Sequence, residues 1–305
     1  MNYFIQAENI TRAYEDKVAL DNFSIQIPKG SIYGILGPNG AGKTTFIRIL
    51  NQITKPDSGK LYFNGEPLQP KHIAEIGYMP EERGLYKNMK IGEQALYLAQ
   101  LKGMKKSEAK SKLEYWFDKL NIEKWWSKKL SELSKGMAQK IQFIVTVLHD
   151  PKLLIFDEPF SGFDPVNANI IRDEILELKQ KGTTILFSSH RMESVEELCD
   201  YAALINNSKK ILDGSLKDIR NKFKKNKFNI SLTETSENEI KSLINEQEIN
   251  NLTFSDGIYN FSIQIPTDKN SNAIINELSK KGTIISFFEE IPSMNEIFIN
   301  AVNSK

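Results

Sequence analysis

Two kinds of apolar spacing alternate along the chain. Residues 4–10 and 18–27 read as strands, the second placing Phe23, Ile25 and Ile27 against Ser24 and Gln26 before a Pro28-Lys29-Gly30 turn. Residues 32–36, 153–156 and 183–189 are near-continuous apolar or β-rich runs, as expected of strands covered on both faces of a parallel sheet. Residues 45–50 read as a helix directly after the first of these runs. From 90 to 130 the spacing becomes helical, with Ile91, Ala95, Leu98 and Leu101 on one stripe and Leu113, Trp116, Phe117 and Leu120 on another. This segment predicts an inserted helical lobe, about 85–150, in which Trp125 and Trp126 serve either the core or a partner surface. A further helix, burying Ile171, Ile175 and Leu178, follows the tight turn at 161–165.

Past Leu216 the character changes. Residues 217–227 are strongly basic and read as a solvated linker or, alternatively, as a contact for lipid phosphates. Strands are expected at 228–233, 252–255, 259–265 and 283–288, helices at 237–246 and 273–281, and a closing helix at 294–302. That β-α-β-β-α-β order predicts a small α+β, ferredoxin-like domain. The chain therefore divides into a first domain, 1–220, and a second, 221–305. The second carries no His, Cys or phosphate motif, and its expected part is regulatory or dimer-stabilising.

Composition narrows the class without naming a ligand. Forty basic and thirty-nine acidic side chains leave a net charge of +1, which favours neither nucleic acid nor a membrane surface. The N-terminus lacks a basic-then-apolar leader, and no apolar run approaches the ~18 residues a membrane span needs. A cytosolic chain is expected, held elsewhere only by a partner. The single cysteine, Cys199, excludes an internal disulfide and reads as the buried face of a helix.

Chemistry concentrates on Gly37-Pro38-Asn39-Gly40-Ala41-Gly42-Lys43-Thr44-Thr45. Two glycines, a lysine and a hydroxyl at this spacing, between a strand and a helix, form a phosphate-binding loop. Its backbone N–H groups make an anion nest, Lys43 reaches the β- and γ-phosphates, and the Thr44 hydroxyl is offered to Mg2+. The expected ligand is a nucleoside triphosphate. Upstream, the Tyr14 ring can stack on an adenine. Glu81, past a strand and a proline, is a hard oxygen donor for the metal. Ser134 and Gly136 open a helix with an N-cap hydroxyl and free N–H groups, a second anion site. The strand ending in Asp157 and Glu158 delivers two carboxylates to the carboxyl edge of the sheet, where ligands bind in open α/β folds. Adjacent strand residues point oppositely, so Asp157 is assigned to the metal through water and Glu158 to polarising the attacking water. His190 arrives at the same edge, able to hydrogen-bond a γ-phosphate and sense its loss.

Taken in order, these elements resemble the ATPase subunit of an ATP-binding cassette (ABC) transporter over about residues 1–220. The resemblance implies an α/β P-loop fold with a RecA-like parallel core, an antiparallel β layer and a helical subdomain. Within it the Walker A loop is 37–45, the Walker B strand ends at Asp157 with Glu158 as base, 161–164 is the D-loop and His190 the switch histidine. It further implies ATP hydrolysis with Mg2+ and a head-to-tail homodimer that sandwiches ATP against the partner's 133–137 segment. Separately encoded membrane permease subunits and a place on the inner face of the cell membrane complete the implied setting. Two departures stand out: Leu-Ser-Gly-Gly-Gln appears as Leu133-Ser134-Lys135-Gly136-Met137, and the Q-loop glutamine is Glu81. The 78–86 run, with Lys135 and Met137, is similar to the sodium-extrusion (NatA-type) branch, implying efflux of Na+ or of a drug or peptide. The competing class is a soluble ABC ATPase acting on ribosomes or nucleic acid. Against it stand a single cassette and the absence of a large basic patch.

Overall fold

Long alternating segments pair early in the chain, and continuous apolar ones are covered from both sides later. In the computed structural model, which describes residues 2–15, 17–82, 84–243, 249–266 and 270–303, the chain forms two compact units. These are Met1–Leu216 with Ala301–Lys305, and Lys217–Asn300.

The first unit begins with β1 (Tyr3–Tyr14) and β2 (Lys17–Pro28), longer than the sequence pattern suggested, then β3 (Ile32–Leu36) and α1 (Lys43–Leu50). After α1 come β4 (Ser58–Phe63), the short β5 (Glu66–Pro67) and β6 (Ile76–Met79). The helical lobe is α2 (Ile91–Leu101), α3 (Lys106–Lys119) and α4 (Lys135–Val147). The unit continues with β7 (Leu153–Asp157), α5 (Pro165–Gln180), β8 (Thr184–Ser189), α6 (Met192–Leu198), β9 (Tyr201–Asn206) and β10 (Lys209–Ser215).

Two sheets result. An antiparallel layer has the order β2-β1-β4-β5, and a six-stranded sheet the order β10-β9-β3-β8-β7-β6. In the second, β9, β3, β8, β7 and β6 run parallel, and β10 is antiparallel at the edge. Every residue of β3, β7 and β8 is buried, so alternation disappears; the side chains are mostly apolar, with Asp157 at the end of β7 and Thr184, Ser188 and Ser189 in β8 as the buried polar exceptions. Phe23 and Ile25 of the antiparallel layer, Phe46 and Ile47 of α1, and Leu186 and Ala203 of the parallel sheet share one core. Phe46 meets Phe23 with ring centroids 5.0 Å apart. Burying a side chain of this size is worth about 2 kcal/mol, so the helix that follows the phosphate loop is fixed between two sheets.

The lobe is tied to the core by polar contacts. Lys102 donates to the carbonyls of Ile73 and Ile76 at 2.8 and 2.7 Å, and Lys119 pairs with Glu174 and Glu177 of α5 at 2.5 and 2.6 Å. Trp125 and Trp126 are half-buried, and the Trp126 ring packs on Phe117 and over Gly92, where an added Cβ would lie 2.4 Å from it. Trp126 is therefore a packing residue. The apolar stripe of α2 is only partly core: Ile91 and Ala95 are buried, whereas Leu98 and the 64 % exposed Leu101 line an open groove with Ile53, Tyr78, Leu85 and Val145. Leu178 is half-buried beside the fully buried Ile171 and Ile175. Cys199 lies just past the end of α6 rather than on its buried face. It is buried against Gly34, and burial pushes its thiol well above the usual range, which makes it unreactive.

In the second unit α7 (Leu216–Lys222) leads into β11 (Lys227–Thr233), α8 (Glu237–Leu243), β12 (Ile249–Ser255), β13 (Ile258–Gln264), α9 (Ser271–Leu278), β14 (Thr283–Glu289) and α10 (Met294–Asn303). The antiparallel order β12-β13-β11-β14 is that of a ferredoxin-like sheet. Its core joins Ile230, Leu232, Phe261 and Ile263 to Ile240 of α8 and to Ile274 and Leu278 of α9. The expected end of the first helix here, past residue 243, lies outside the described residues. The basic stretch is not a solvated linker. Part of it is α7, Lys224 and Lys227 pair with Glu289 and Glu290 at 2.6 and 2.8 Å, and Arg220 donates to the Pro292 carbonyl. Those ion pairs engage two of the six basic side chains between 217 and 227.

Candidate nucleotide site

The loop between β3 and α1 closes only because of its glycines. Gly37 and Gly42 have φ of 151° and 118°, and an added Cβ would meet the Ile205 and Ala19 carbonyl oxygens at 2.2 and 2.4 Å. No side chain fits either place. Lys43, 7 % exposed, folds under the loop and donates from Nζ to the carbonyls of Gly37 at 2.7 Å and Pro38 at 3.1 Å. Burial lowers its pKa, while Glu158, Asp157 and Glu81 act in the opposite direction. The Ala41 N–H donates to the Pro38 carbonyl, so the loop holds its own shape.

Because β3, β8, β7 and β6 are parallel neighbours, their carboxyl ends meet in front of this loop. One cavity, about 230 Å³, is lined by Asn39, Gly40, Gly42, Lys43, Thr44, Thr45, Glu81, Asp157, Glu158 and His190. Asp157 is 3 % exposed, and burial raises its pKa.

Glu158 corrects one sequence argument. Strand alternation would send it away from Asp157, but β7 ends at Asp157 and Glu158 takes a left-handed φ of 51°. That turn brings both carboxylates into the same cavity. A non-glycine residue held there is strained by about 1 kcal/mol, and the surroundings hold it in place. Glu158 Oε1 accepts from the His190 backbone N–H at 2.7 Å and lies 2.6 Å from His190 Nδ1, and Oε2 accepts from Ser189 Oγ at 3.2 Å.

Three sites of the sequence reading lie apart from this cavity. Tyr14 ends β1, 39 % exposed, with the Arg12 guanidinium 4.7 Å from its ring centroid, so one ring face is already covered. Burial would raise its phenol, but hydrogen bonds to Thr54, Arg12 and Thr45 outweigh that and lower the pKa. Ser134 caps α4, its Oγ accepting from the Met137 N–H at 3.2 Å. Gly136 faces the carbonyl of Gly162 in the turn after β7, and the stem of Lys135 packs on Gly162. Arg83, in the 78–86 run, lies outside the described residues.

Sequence reasoning missed two positioning residues. Gln139 and Gln142, both buried in α4, donate to the carbonyls of Pro159 at 3.2 Å and Pro80 at 2.9 Å. They pin the turns that follow β7 and β6 and so set the approach of Glu158 and Glu81. Two amides three residues apart on the buried face of a helix were the available signal. Among the described residues no cluster of three or more His, Cys, Asp or Glu side chains forms a metal cage. Thr44, Asp157 and Glu81 are nevertheless a set of hard oxygen donors in one cavity. Such a set suits Mg2+, which keeps several waters and takes few protein ligands.

A family model described as ABC transporter matches residues 20–161, and a model of the DrrA1-3-like ATP-binding protein C-terminal domain matches 214–302. An overlapping AAA-domain model matches 129–196. The chain is 41 % identical over 97 % of its length, and 98 % of the relative's, to the uncharacterized ABC transporter ATP-binding protein YhaQ of Bacillus subtilis. The chain belongs to the ATP-binding proteins of ABC transporters. It is also similar to the ABC transporter ATP-binding protein NatA of Bacillus subtilis, with 35 % identity over 70 % of this chain and 91 % of the relative. The bacitracin transport ATP-binding protein BcrA of Enterococcus faecalis shows 29 % identity over 94 % of this chain and 92 % of its own. A solved ATP-binding subunit of an ABC transporter superposes with a TM-score of 0.68 and 28 % identity, covering 72 % of this chain and 93 % of that one. The fold is therefore that of an ABC ATPase. ATP binding and hydrolysis follow from membership of the family. No helix among the described residues is long and apolar enough to cross a membrane.

Proposed function

We propose that this ABC ATPase powers an exporter, binding ATP in the cavity in front of the 37–45 loop. The observation that carries this is the convergence of Lys43, Thr44, Glu81, Asp157, Glu158 and His190 on one cavity. In this reading the loop N–H groups and Lys43 hold the triphosphate, and Glu158 orients and deprotonates the attacking water. His190, hydrogen-bonded to Glu158, fixes that carboxylate and contacts the γ-phosphate. Thr44, Asp157 and Glu81 hold Mg2+, which when bound supplies charge neutralisation at the phosphates. Tyr14 receives the adenine on the ring face not covered by Arg12. Residues 1–220 act as the ATP-binding domain and 221–305 as an accessory domain that regulates or stabilises the dimer.

The homodimer is head-to-tail, with Ser134 and Gly136 of one protomer completing the other's site. Their placement outside their own chain's cavity supports this. Mixing two inactive variants, Lys43→Ala and Ser134→Arg, tests it. A mixed dimer contains one site with both lesions and one with neither, so ATPase activity returns to tens of per cent of wild type. Mixtures as inactive as their components would rule the arrangement out.

The permease is expected to dock an amphipathic helix in the groove of about 490 Å³ lined by Leu98, Leu101, Ile53, Tyr78, Leu85 and Val145. Leu101→Glu places a charge where that helix would be buried, at a cost of several kcal/mol. Recovery of the chain with membranes should fall about tenfold while ATPase activity of the isolated chain stays within twofold of wild type. Unchanged membrane recovery would move the docking surface elsewhere. The chain would then sit on the inner face of the cell membrane without spanning it. The 78–86 run, similar to the NatA-type branch, supports efflux of Na+ or of a drug or peptide, and one relative is a bacitracin transport ATP-binding protein.

A further inference from the structure

The cavity is lined by more acidic than basic side chains. Three carboxylates, Glu81, Asp157 and Glu158, line it against one lysine, and that lysine already spends two donors on the Gly37 and Pro38 carbonyls. Glu158 is partly compensated by the His190 N–H and the Ser189 hydroxyl. Glu81 is exposed, and from the loop it meets only the Lys43 charge that it shares with Asp157 and Glu158; the carbonyl of the preceding Pro80 is pinned by Gln142, itself 3 % exposed, so the turn that carries Glu81 is held at the cavity. A triphosphate entering without a cation therefore meets like charge at short range, whereas one entering with a hard dication meets an additional oxygen ligand.

We propose that Glu81 couples ATP and divalent cation into one binding event, so that metal-free ATP is rejected and metal-bound ATP is favoured by the same carboxylate. This inference rests on reading the cavity as the nucleotide site. An amide at this position would supply an oxygen without the repulsion, and the coupling would be correspondingly weaker. Because coupling is reciprocal, ATP raises the affinity for the cation by the same factor that the cation raises the affinity for ATP.

The test measures ATP affinity of the full chain by equilibrium binding in excess Mg2+ and in excess EDTA, for wild type, Glu81→Gln and Glu82→Gln. Complexation of Mg2+ by ATP in solution is common to all three and cancels in the comparison. Glu82 is exposed, adjacent and outside the cavity lining, so it controls for loss of one charge nearby. Glu81→Gln should shrink the ratio of the two dissociation constants about tenfold, chiefly through tighter binding in EDTA, while Glu82→Gln leaves it unchanged. A ratio within twofold of wild type for Glu81→Gln, or an equal contraction in Glu82→Gln, overturns the inference. A wild-type chain that binds no ATP in either condition overturns the reading of the cavity, and this inference with it.

Discussion

A Glu158→Gln variant should bind ATP with near wild-type affinity and hydrolyse it ~100 to 10,000-fold more slowly, the usual cost of removing a positioned general base. The substitution preserves the shape of the side chain. Its amide oxygen can still accept from the His190 N–H, and its NH2 can donate to Ser189, so the contacts made by the carboxylate largely survive. The left-handed backbone at 158 strains glutamine as it strains glutamate, so thermal stability should not move by more than a degree or two. What disappears is the proton acceptor. ATP-bound dimers should accumulate, and size-exclusion chromatography with ATP would show them. Steady-state hydrolysis within threefold of wild type would remove Glu158 from its role and leave His190 or another group to be found.

Lys43→Ala should fail earlier in the cycle. Lys43 supplies the only lysine ammonium among the cavity-lining residues, and its two hydrogen bonds brace the loop from beneath. Without it the Gly37 carbonyl loses the Lys43 ammonium, the Pro38 carbonyl keeps only the Ala41 N–H, and the phosphates lose a charge-assisted contact worth ~1.5–3 kcal/mol. Together these predict ATP binding at least ~100-fold weaker, measured by equilibrium titration, with hydrolysis falling in parallel. The pair of variants separates the two functions of the cavity: Lys43→Ala loses affinity, whereas Glu158→Gln retains affinity and loses turnover. A Lys43→Ala chain that binds ATP as wild type does would mean that the loop N–H groups alone hold the phosphates.

The two departures from the family pattern have different standing in the molecule. Lys135 packs its stem on Gly162 in the turn after β7, so its aliphatic carbons have a structural task whatever its ammonium does. Glu81 is exposed and lines the cavity. Charge at that position is therefore free to influence what binds.

Much of the site was legible in the order of residues because its parts are local. A phosphate loop needs consecutive glycines at positions where a Cβ would strike Ile205 and Ala19 carbonyls, and such a constraint writes itself into nine adjacent letters. The strands were legible for a related reason: being covered on both faces forces an unbroken apolar run, as in β3 and β7. Other features depend on residues far apart in the chain. Whether Leu101 is core or groove depends on what packs opposite it, and periodicity is blind to that. The basic stretch at 217–227 read as solvated because its acidic partners, Glu289 and Glu290, lie more than sixty residues away.

By itself, then, the amino-acid order determined the fold class, the phosphate loop and the list of groups that could meet a triphosphate, since each rests on short-range spacing and on burial that repeats along one segment. Only the tertiary structure decided that Asp157 and Glu158 share a cavity, because that follows from a backbone turn at 158 which strand alternation does not foresee. It alone decided that Gln139 and Gln142 hold the turns beside them. Those outcomes are set by which surfaces meet when the sheet and the helical lobe pack, a property of distances in space rather than of distances along the chain.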